Sequence, residues 1–330
     1  MLPISEFFNQ GVSLAKHALL GKPVLPTLML YVTDACNSHC KICGMWQIKK
    51  HNHLPIESIR KILSSPLVHK SNIGLEGGEF ILHPNCEDIL ELLSKRGRFK
   101  LLSNGLMPER LIKSVRQFNI PEVLISLDGG PQTYLRVRGV DGYSKVKESI
   151  LSLRGYTKVS VVYTFSPWNN TNDFLEIKEF CGQNNVNLKI NIFSIIPLFG
   201  TQETQKALLG IENINLDFPE NDYLRLYNDW LSNKVKLPCL SIRFRAVIWP
   251  DGSIPLCQSK NILLGNIHNQ TIDEIWCSKK TKSLWKQYRS CNGCWSAFHR
   301  IYDIVLIKML EKLLPKLVIK KLLGEYAFDE

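Results

Sequence analysis

The first residues, MLPISEFFNQ, have neither the basic stretch nor the long apolar core of a secretory signal. Without one, a disulfide framework is not expected, and the ten cysteines of the 330-residue chain read as metal ligands and buried thiols in a cytoplasmic setting. No internal repeat or low-complexity stretch interrupts the chain, which excludes a solenoid or a linker-rich architecture. The apolar stretch toward the C-terminus is broken by Lys308, Lys312, Lys316 and Lys320, too many charges for a transmembrane span. Acidic residues are also few. Against 41 Lys and Arg stand 30 Asp and Glu, a formal charge of +11, and no acidic residue lies between Lys279 and Arg300. That stretch, with Lys280, Lys282, Lys286 and Arg289, reads as a solvated basic face or as a surface for an anionic membrane, a nucleic acid or an acidic redox partner.

What is present is the composition of a folded globular protein, 45% apolar and 22% charged, long enough for one large domain and a smaller one. Between Pro26 and Phe193, short β-branched runs alternate with helical patterns, the mark of repeated βα units on a parallel sheet. Strands are expected at Thr27–Thr33, Asn72–Leu75, Lys100–Leu102, Glu122–Ser126, Val159–Thr164 and Leu188–Phe193, with helices such as Pro55–Ser64 and Phe174–Asn184 between them. Six such units form an α/β fold, an open partial (β/α)6 barrel of the TIM kind, whose chemistry belongs at the carboxyl ends of the strands. The expected division is an N-terminal helical segment at 1–25, the barrel at 26–199, a connector at 200–237, a small metal-binding appendix at 238–296 and a basic helix at 297–330. Within the appendix, Ile242–Trp249 and Ser253–Leu256 are expected to pair as a hairpin around Pro250-Asp251-Gly252.

Directly after the first expected strand come Cys36, Cys40 and Cys43, spaced C-x3-C-x2-C. Three thiolates on one tight loop suit three irons of a [4Fe–4S] cluster and leave the fourth iron without a protein ligand. A three-ligand zinc site is the competing reading. This loop, with the apolar Ile42 before its last cysteine, resembles the signature of the radical S-adenosylmethionine (SAM) superfamily. The resemblance implies that SAM chelates the open iron. It also implies that an electron, from a donor such as flavodoxin or ferredoxin, cleaves SAM to methionine and a 5′-deoxyadenosyl radical that takes hydrogen from a substrate. Gly77-Gly78-Glu79-Phe80 resembles the superfamily's Gly-Gly-Glu-Pro motif, with Phe80 in place of proline, and its glycines are expected to let backbone carbonyls approach the methionine amino group. By the same resemblance, Asn104 in Ser103-Asn104-Gly105 and Ser126 in Ser126-Leu127-Asp128-Gly129 line the cofactor pocket, although both also read as ordinary βα-turn chemistry. Arg138 is either a forked donor to the methionine carboxylate or a surface ion pair.

Cys239, Cys257 and the pair Cys291 and Cys294 make a second set, fit for zinc or for a [4Fe–4S] cluster. Pro250-Asp251-Gly252, Leu264-Gly265-Asn266-Ile267 and Thr271-Ile272-Asp273-Glu274-Ile275-Trp276 resemble the C-terminal extension called SPASM, in its shortened twitch form. The resemblance implies one auxiliary [4Fe–4S] cluster. Its four thiolates leave no open iron, so its implied task is to accept an electron from a substrate radical, giving net oxidation. Cys277 is a substitute ligand, while Cys86 and Cys181 read as buried thiols.

Ile301–Leu323 is expected as one helix with a lysine every fourth residue, kinked at Pro315, and either packed on the barrel or lying in the interface of an anionic membrane. The expected activity is that of a radical SAM oxidoreductase acting on a small or lipid-linked organic substrate, cytoplasmic or peripheral at the inner face of the membrane. A peptide maturase is the second reading; residues 1–25 are short for a leader-binding domain. A non-enzymatic metal-cluster protein that binds nucleic acid is the third, and nucleic acid is not the expected partner.

Overall fold

The computed structural model describes residues 23–194, 196 and 221–327. Residues 1–22 of the expected N-terminal segment and 200–220 of the expected connector lie outside the described residues; the rest of the connector, 221–237, contains the helix Asp222–Leu231. The main body is a parallel sheet built from β1 (Thr27–Tyr31), β2 (Asn72–Glu76), β3 (Phe99–Ser103), β4 (Glu122–Ser126), β5 (Lys158–Phe165), β6 (Asn187–Ile192) and β7 (Arg245–Ile248), in the order β6-β5-β4-β3-β2-β1-β7. The first six strands follow the sequence reading to within two residues at each end. Their helices begin where local chemistry starts them. Pro108 opens Pro108–Phe118 with its fixed φ, and Asn170 caps Thr171–Gln183 in a reciprocal capping box with Asp173.

Two expectations are corrected here. The sheet has seven strands rather than six, and Ile242–Trp249 is not an arm of a hairpin. Ser241–Phe244 forms a helical turn, and the residues after it run parallel to β1 with Leu28 opposite Ala246 and Leu30 opposite Ile248. The apolar run Ala246–Ile248 is buried, as a strand in a parallel sheet must be and an edge hairpin need not. The turn at Pro250–Gly252 is real, closed by the Gly252 amide on the Trp249 carbonyl at 2.9 Å. It leads into the actual hairpin, β8 (Ser253–Cys257) with β9 (Lys260–Asn266).

Along β4, the buried Val123 and Ile125 alternate with the half-buried Glu122, Leu124 and Ser126. On β3, the buried Phe99, Leu101 and Ser103 alternate with the half-buried Lys100 and Leu102. This period of two separates a helix-covered face from the lumen face of a half-barrel. At one place in the lumen an ionic network ties the strands together. Lys189 Nζ on β6 donates to Glu122 on β4 at 2.6 Å, and Ser160 on β5 donates to the same carboxylate at 2.7 Å.

The single helix expected over Ile301–Leu323 is two, Ala297–Glu311 and Lys316–Leu323, with Pro315 capping the second. Proline lacks the N–H a continuous helix requires, so the chain turns here instead of kinking. Among the described residues, no helix is long and apolar enough to cross a membrane.

Candidate active site

The loop from Thr33 to Cys43 sits on the carboxyl end of β1 and is held from three sides. From β2, the amides of Gly78 and Glu79 donate to the carbonyls of Thr33 and Ala35, both at 2.7 Å. Built Cβ atoms at Gly77 and Gly78 would run into those same two carbonyl oxygens, and Gly77 has φ of +153°, so the double glycine is what lets the loops meet. From the strand 4 side, the His39 and Lys41 amides donate to the carbonyls of Arg138 and Val137 at 3.0 and 2.9 Å. From the following segment, Asp34 accepts from the Asn52 amide at 2.9 Å and the Asn52 side chain at 2.8 Å.

Each expected site residue can now be located. Cys36, Cys40 and Cys43 lie within electrostatic reach of one another, buried or half-buried. Burial pushes the Cys36 thiol up to about 11 and the Cys43 thiol up to about 12, against backbone N–H donation from Ser38 and Met45. Ser38 Oγ lies 3.2 Å from Cys40 Sγ, Asn104 Nδ2 lies 3.9 Å from Cys36 Sγ, and Arg138 Nη1 lies 3.6 Å from Cys40 Sγ. Three thiols gathered on one loop, with burial opposing ionisation of Cys36 and Cys43 and a guanidinium and N–H donors facing them, fit a cationic iron group that takes them as thiolates.

Asn104 also binds Asn37 at 2.7 Å, while its own amide donates to Glu79 at 2.7 Å. Glu79 is fully buried, accepts from Ser103 Oγ at 3.0 Å, and is pushed up to about 7 by that burial. It therefore laces β2 to β3. Ser126 ends β4 on the lumen face, and Ile42 packs on the main core. Arg138 is not at the surface. It is buried and ion-paired with the fully buried Asp128, whose carboxyl is pushed up by burial against the pull of the guanidinium. Asp128 in turn accepts from the Thr164 amide on β5 at 2.8 Å. The fork of Arg138 is thus engaged by protein, on Asp128 and Cys40.

Below the loop, the lumen holds a carboxylate the sequence reading left unassigned. Glu76, the last residue of β2, bonds to the Tyr31 hydroxyl of β1, and burial pushes it up to about 7 despite Tyr31 and Lys100. The Tyr31 hydroxyl accepts from Gln258 Nε2 at 2.7 Å. Gln258 follows Cys257, so this chain of three side chains joins the barrel lumen to the appendix. The sequence signal that could have found it is an acidic residue directly after the apolar run Ile73-Gly74-Leu75.

In the appendix, Cys239, Cys257, Cys291 and Cys294 line a single small cavity with Ser259, His299 and Arg300. Cys277 is exposed and is not among the lining residues, so it is no substitute ligand. The backbone N–H groups of Ile242 and Ser259 donate to the Cys239 and Cys257 thiols, which burial pushes up, Cys257 to about 11. Arg300, which the sequence places at the end of a basic stretch, is fully buried. Its donors reach the carbonyls of Cys294 at 2.8 Å, Cys291 at 3.3 Å and Leu237 at 3.3 Å, with Asp303 closing an ion pair at 3.2 Å. Only the rigid five-donor fork of arginine can serve so many acceptors at once. Trp295 locks the same loop, donating to the Tyr223 carbonyl at 2.9 Å and accepting the Tyr223 hydroxyl on its own carbonyl at 2.8 Å. Four thiols around one cavity, two of them already met by backbone N–H donors, fit an iron–sulfur group. Cys86 and Cys181 are buried on helices, as expected of structural thiols.

The family model of the radical SAM superfamily matches residues 30–181, and that of the SPASM iron–sulfur cluster-binding domain matches 239–295. The chain carries a radical SAM domain followed by a SPASM domain. Radical SAM proteins of this kind carry a [4Fe–4S] cluster with SAM, and the SPASM domain adds an auxiliary iron–sulfur cluster. This radical SAM chain is 26% identical over 179 residues to a probable GTP 3′,8-cyclase of Thermococcus kodakarensis, covering 52% of the chain and 57% of that protein. It is 22% identical over 202 residues to a probable GTP 3′,8-cyclase of Archaeoglobus fulgidus, covering 54% and 64%. It thus spans less than two thirds of either relative. Among solved structures, its fold resembles SuiB of Streptococcus suis bound to SAM, with a TM-score of 0.59, 14% identity and coverage of 82% and 70%. It also resembles anSMEcpe with bound AdoMet, with a TM-score of 0.57, 17% identity and coverage of 81% and 86%.

Proposed function

We propose that this radical SAM enzyme is an oxidoreductase, cytoplasmic or peripheral to the membrane, whose first cluster is held by Cys36, Cys40 and Cys43 and whose auxiliary [4Fe–4S] cluster is held by Cys239, Cys257, Cys291 and Cys294. When bound, SAM on the first cluster supplies a 5′-deoxyadenosyl radical that removes a hydrogen atom, and the auxiliary cluster supplies an electron acceptor. The chain's own residues do the rest. Gly77, Gly78 and Asn104 shape the floor of the SAM site, Arg138 positions Cys40, and Ser126 faces the lumen where substrate sits. Glu76, held near neutrality, takes the substrate proton as oxidation proceeds, a task suited to a carboxylate whose pKa lies close to the working pH. The observation that carries this reading is the Glu76–Tyr31–Gln258 chain, which runs from the lumen to the residue beside Cys257.

The favoured substrate is a small or lipid-linked organic molecule, and the electron donor is a flavodoxin or ferredoxin. A peptide is the second reading, since the fold is shared with SuiB bound to precursor peptide SuiA and with anSMEcpe bound to the Kp18Cys peptide. The test is anaerobic reconstitution and reduction with SAM, counting iron and 5′-deoxyadenosine. About eight irons per chain and nucleoside from wild type but not from Cys36→Ala are expected, as two four-iron centres require. Zinc in place of iron, with no nucleoside, would overturn the reading.

A further inference from the structure

Two polar side chains in the four-cysteine cavity have no hydrogen-bond partner among the described residues. His299 is 2% exposed, and neither of its ring nitrogens has a hydrogen-bond partner among the described residues; the Ser259 hydroxyl is buried and equally unpartnered. Both line the cavity with Cys239, Cys257, Cys291 and Cys294. Buried polar groups left unpaired are costly and rare, and several on one cavity mark a missing partner. Burial, with Arg245 and Arg300 nearby adding to it, disfavours the cationic form of His299, so its ring is neutral, with one N–H to give. What the cavity is built to hold brings acceptors, since thiolate and sulfide sulfurs accept hydrogen bonds.

We infer that His299 and Ser259 donate hydrogen bonds to sulfur atoms of the auxiliary cluster and thereby set its reduction potential. The inference rests on the two-cluster reading above. Donors to cluster sulfur stabilise the more negative, reduced state and so raise the potential. His299 is a positioning and tuning residue on this account, not a ligand, because the four thiolates already complete the iron sites.

The test uses the full chain carrying Cys36→Ala, Cys40→Ala and Cys43→Ala, which leaves only the auxiliary site. Iron is counted, the electron paramagnetic resonance spectrum is recorded in the reduced state, and the midpoint potential is titrated. In His299→Phe, which keeps a ring but loses the N–H, the potential falls while iron stays at about four per chain and the spectrum keeps its form. His299→Gln, which restores a donor, recovers part of the fall. Ser259→Ala gives a smaller fall in the same direction and stands in should His299→Phe not fold. Unchanged potentials in these variants overturn the inference. So does loss of iron or a new spectrum in His299→Phe, which makes His299 a ligand. A background chain that binds zinc and no iron overturns the cluster reading itself, and this inference with it.

The C-terminal helices present a separate feature. Leu313, Leu317 and Leu322 are 74%, 79% and 51% exposed, with Met309 and Val318 beside them, while Ile319 and Leu323 hold the second helix to the body. Lys312, Lys316 and Lys321 are exposed on the same segment, in a chain of net charge +11. We propose that this face docks on an anionic lipid bilayer, leucines in the interface and lysines at the headgroups, a combination whose binding sums apolar area and charge attraction. The full chain is sedimented with phosphatidylcholine vesicles with and without phosphatidylglycerol. Binding only to the anionic vesicles, weakened by salt and lost in Leu313→Glu/Leu317→Glu, is the expected result. Absence of binding overturns the proposal. A dimer that the double variant dissociates, seen by light scattering, would assign the face to a second copy instead.

Discussion

At the scale of single residues, the site depends on buried charge held in tight partnerships. Asp128 and Arg138 are both buried and face each other beside the cysteine loop. Removing one partner strands the other, which typically costs about 3–5 kcal/mol. Arg138→Ala should therefore lower the urea midpoint markedly and release the loop, with Arg138→Lys recovering only part of the loss. Glu79 makes stability depend on pH. Its folded pKa of about 7 lies above that of the unfolded chain, so the folded state binds the extra proton and stability falls as pH rises toward 7. A shift of this size corresponds to at most about 3 kcal/mol. Unfolding of the iron-free protein should thus lose less stability between about pH 5 and about pH 7.5 in Glu79→Gln than in wild type. The cysteines were legible from their spacing, because ligand chemistry restricts both residue type and interval. Arg300 was not, since a basic residue in a basic stretch looks solvated until the carbonyls it gathers are brought together by folding.

At the scale of elements, the βα units were legible because helix and strand have different periods and the strands are short and β-branched. The hairpin was misread because Arg245–Ile248 has the same apolar character whether it pairs with a neighbour in sequence or with β1. Pairing partner is a tertiary property, invisible to a local pattern. The junction between β2 and the cysteine loop offers a direct check. Gly78→Ala places a methyl against the Ala35 carbonyl and should push the loop away, lowering iron toward half and abolishing nucleoside formation. Gly155→Ala, where a Cβ meets nothing within 4 Å, should leave iron and activity as they are. Conversely, Arg300→Ala should empty the appendix cavity's iron while the first cluster still cleaves SAM.

For the whole molecule, the expected border between barrel and appendix does not mark a clean cut. β7 belongs by sequence to the appendix and by pairing to the barrel, where it covers the edge of β1. A chain ending at residue 237 would leave that apolar edge unpaired, and exposed strand edges invite aggregation. Such a truncation should be insoluble or lack the near-ultraviolet dichroism of fixed packing, rather than yield a working one-cluster enzyme.

The same strand gives the molecule a timetable. β1 and its partner β7 are separated by about two hundred residues, roughly ten to forty seconds of synthesis at the usual rates. Throughout that interval the nascent barrel has its cysteine loop and its open edge, but no covering strand. Early capture of iron on the ribosome would therefore happen in an incomplete protein, and the cell has reason to delay loading until the last third of the chain has emerged.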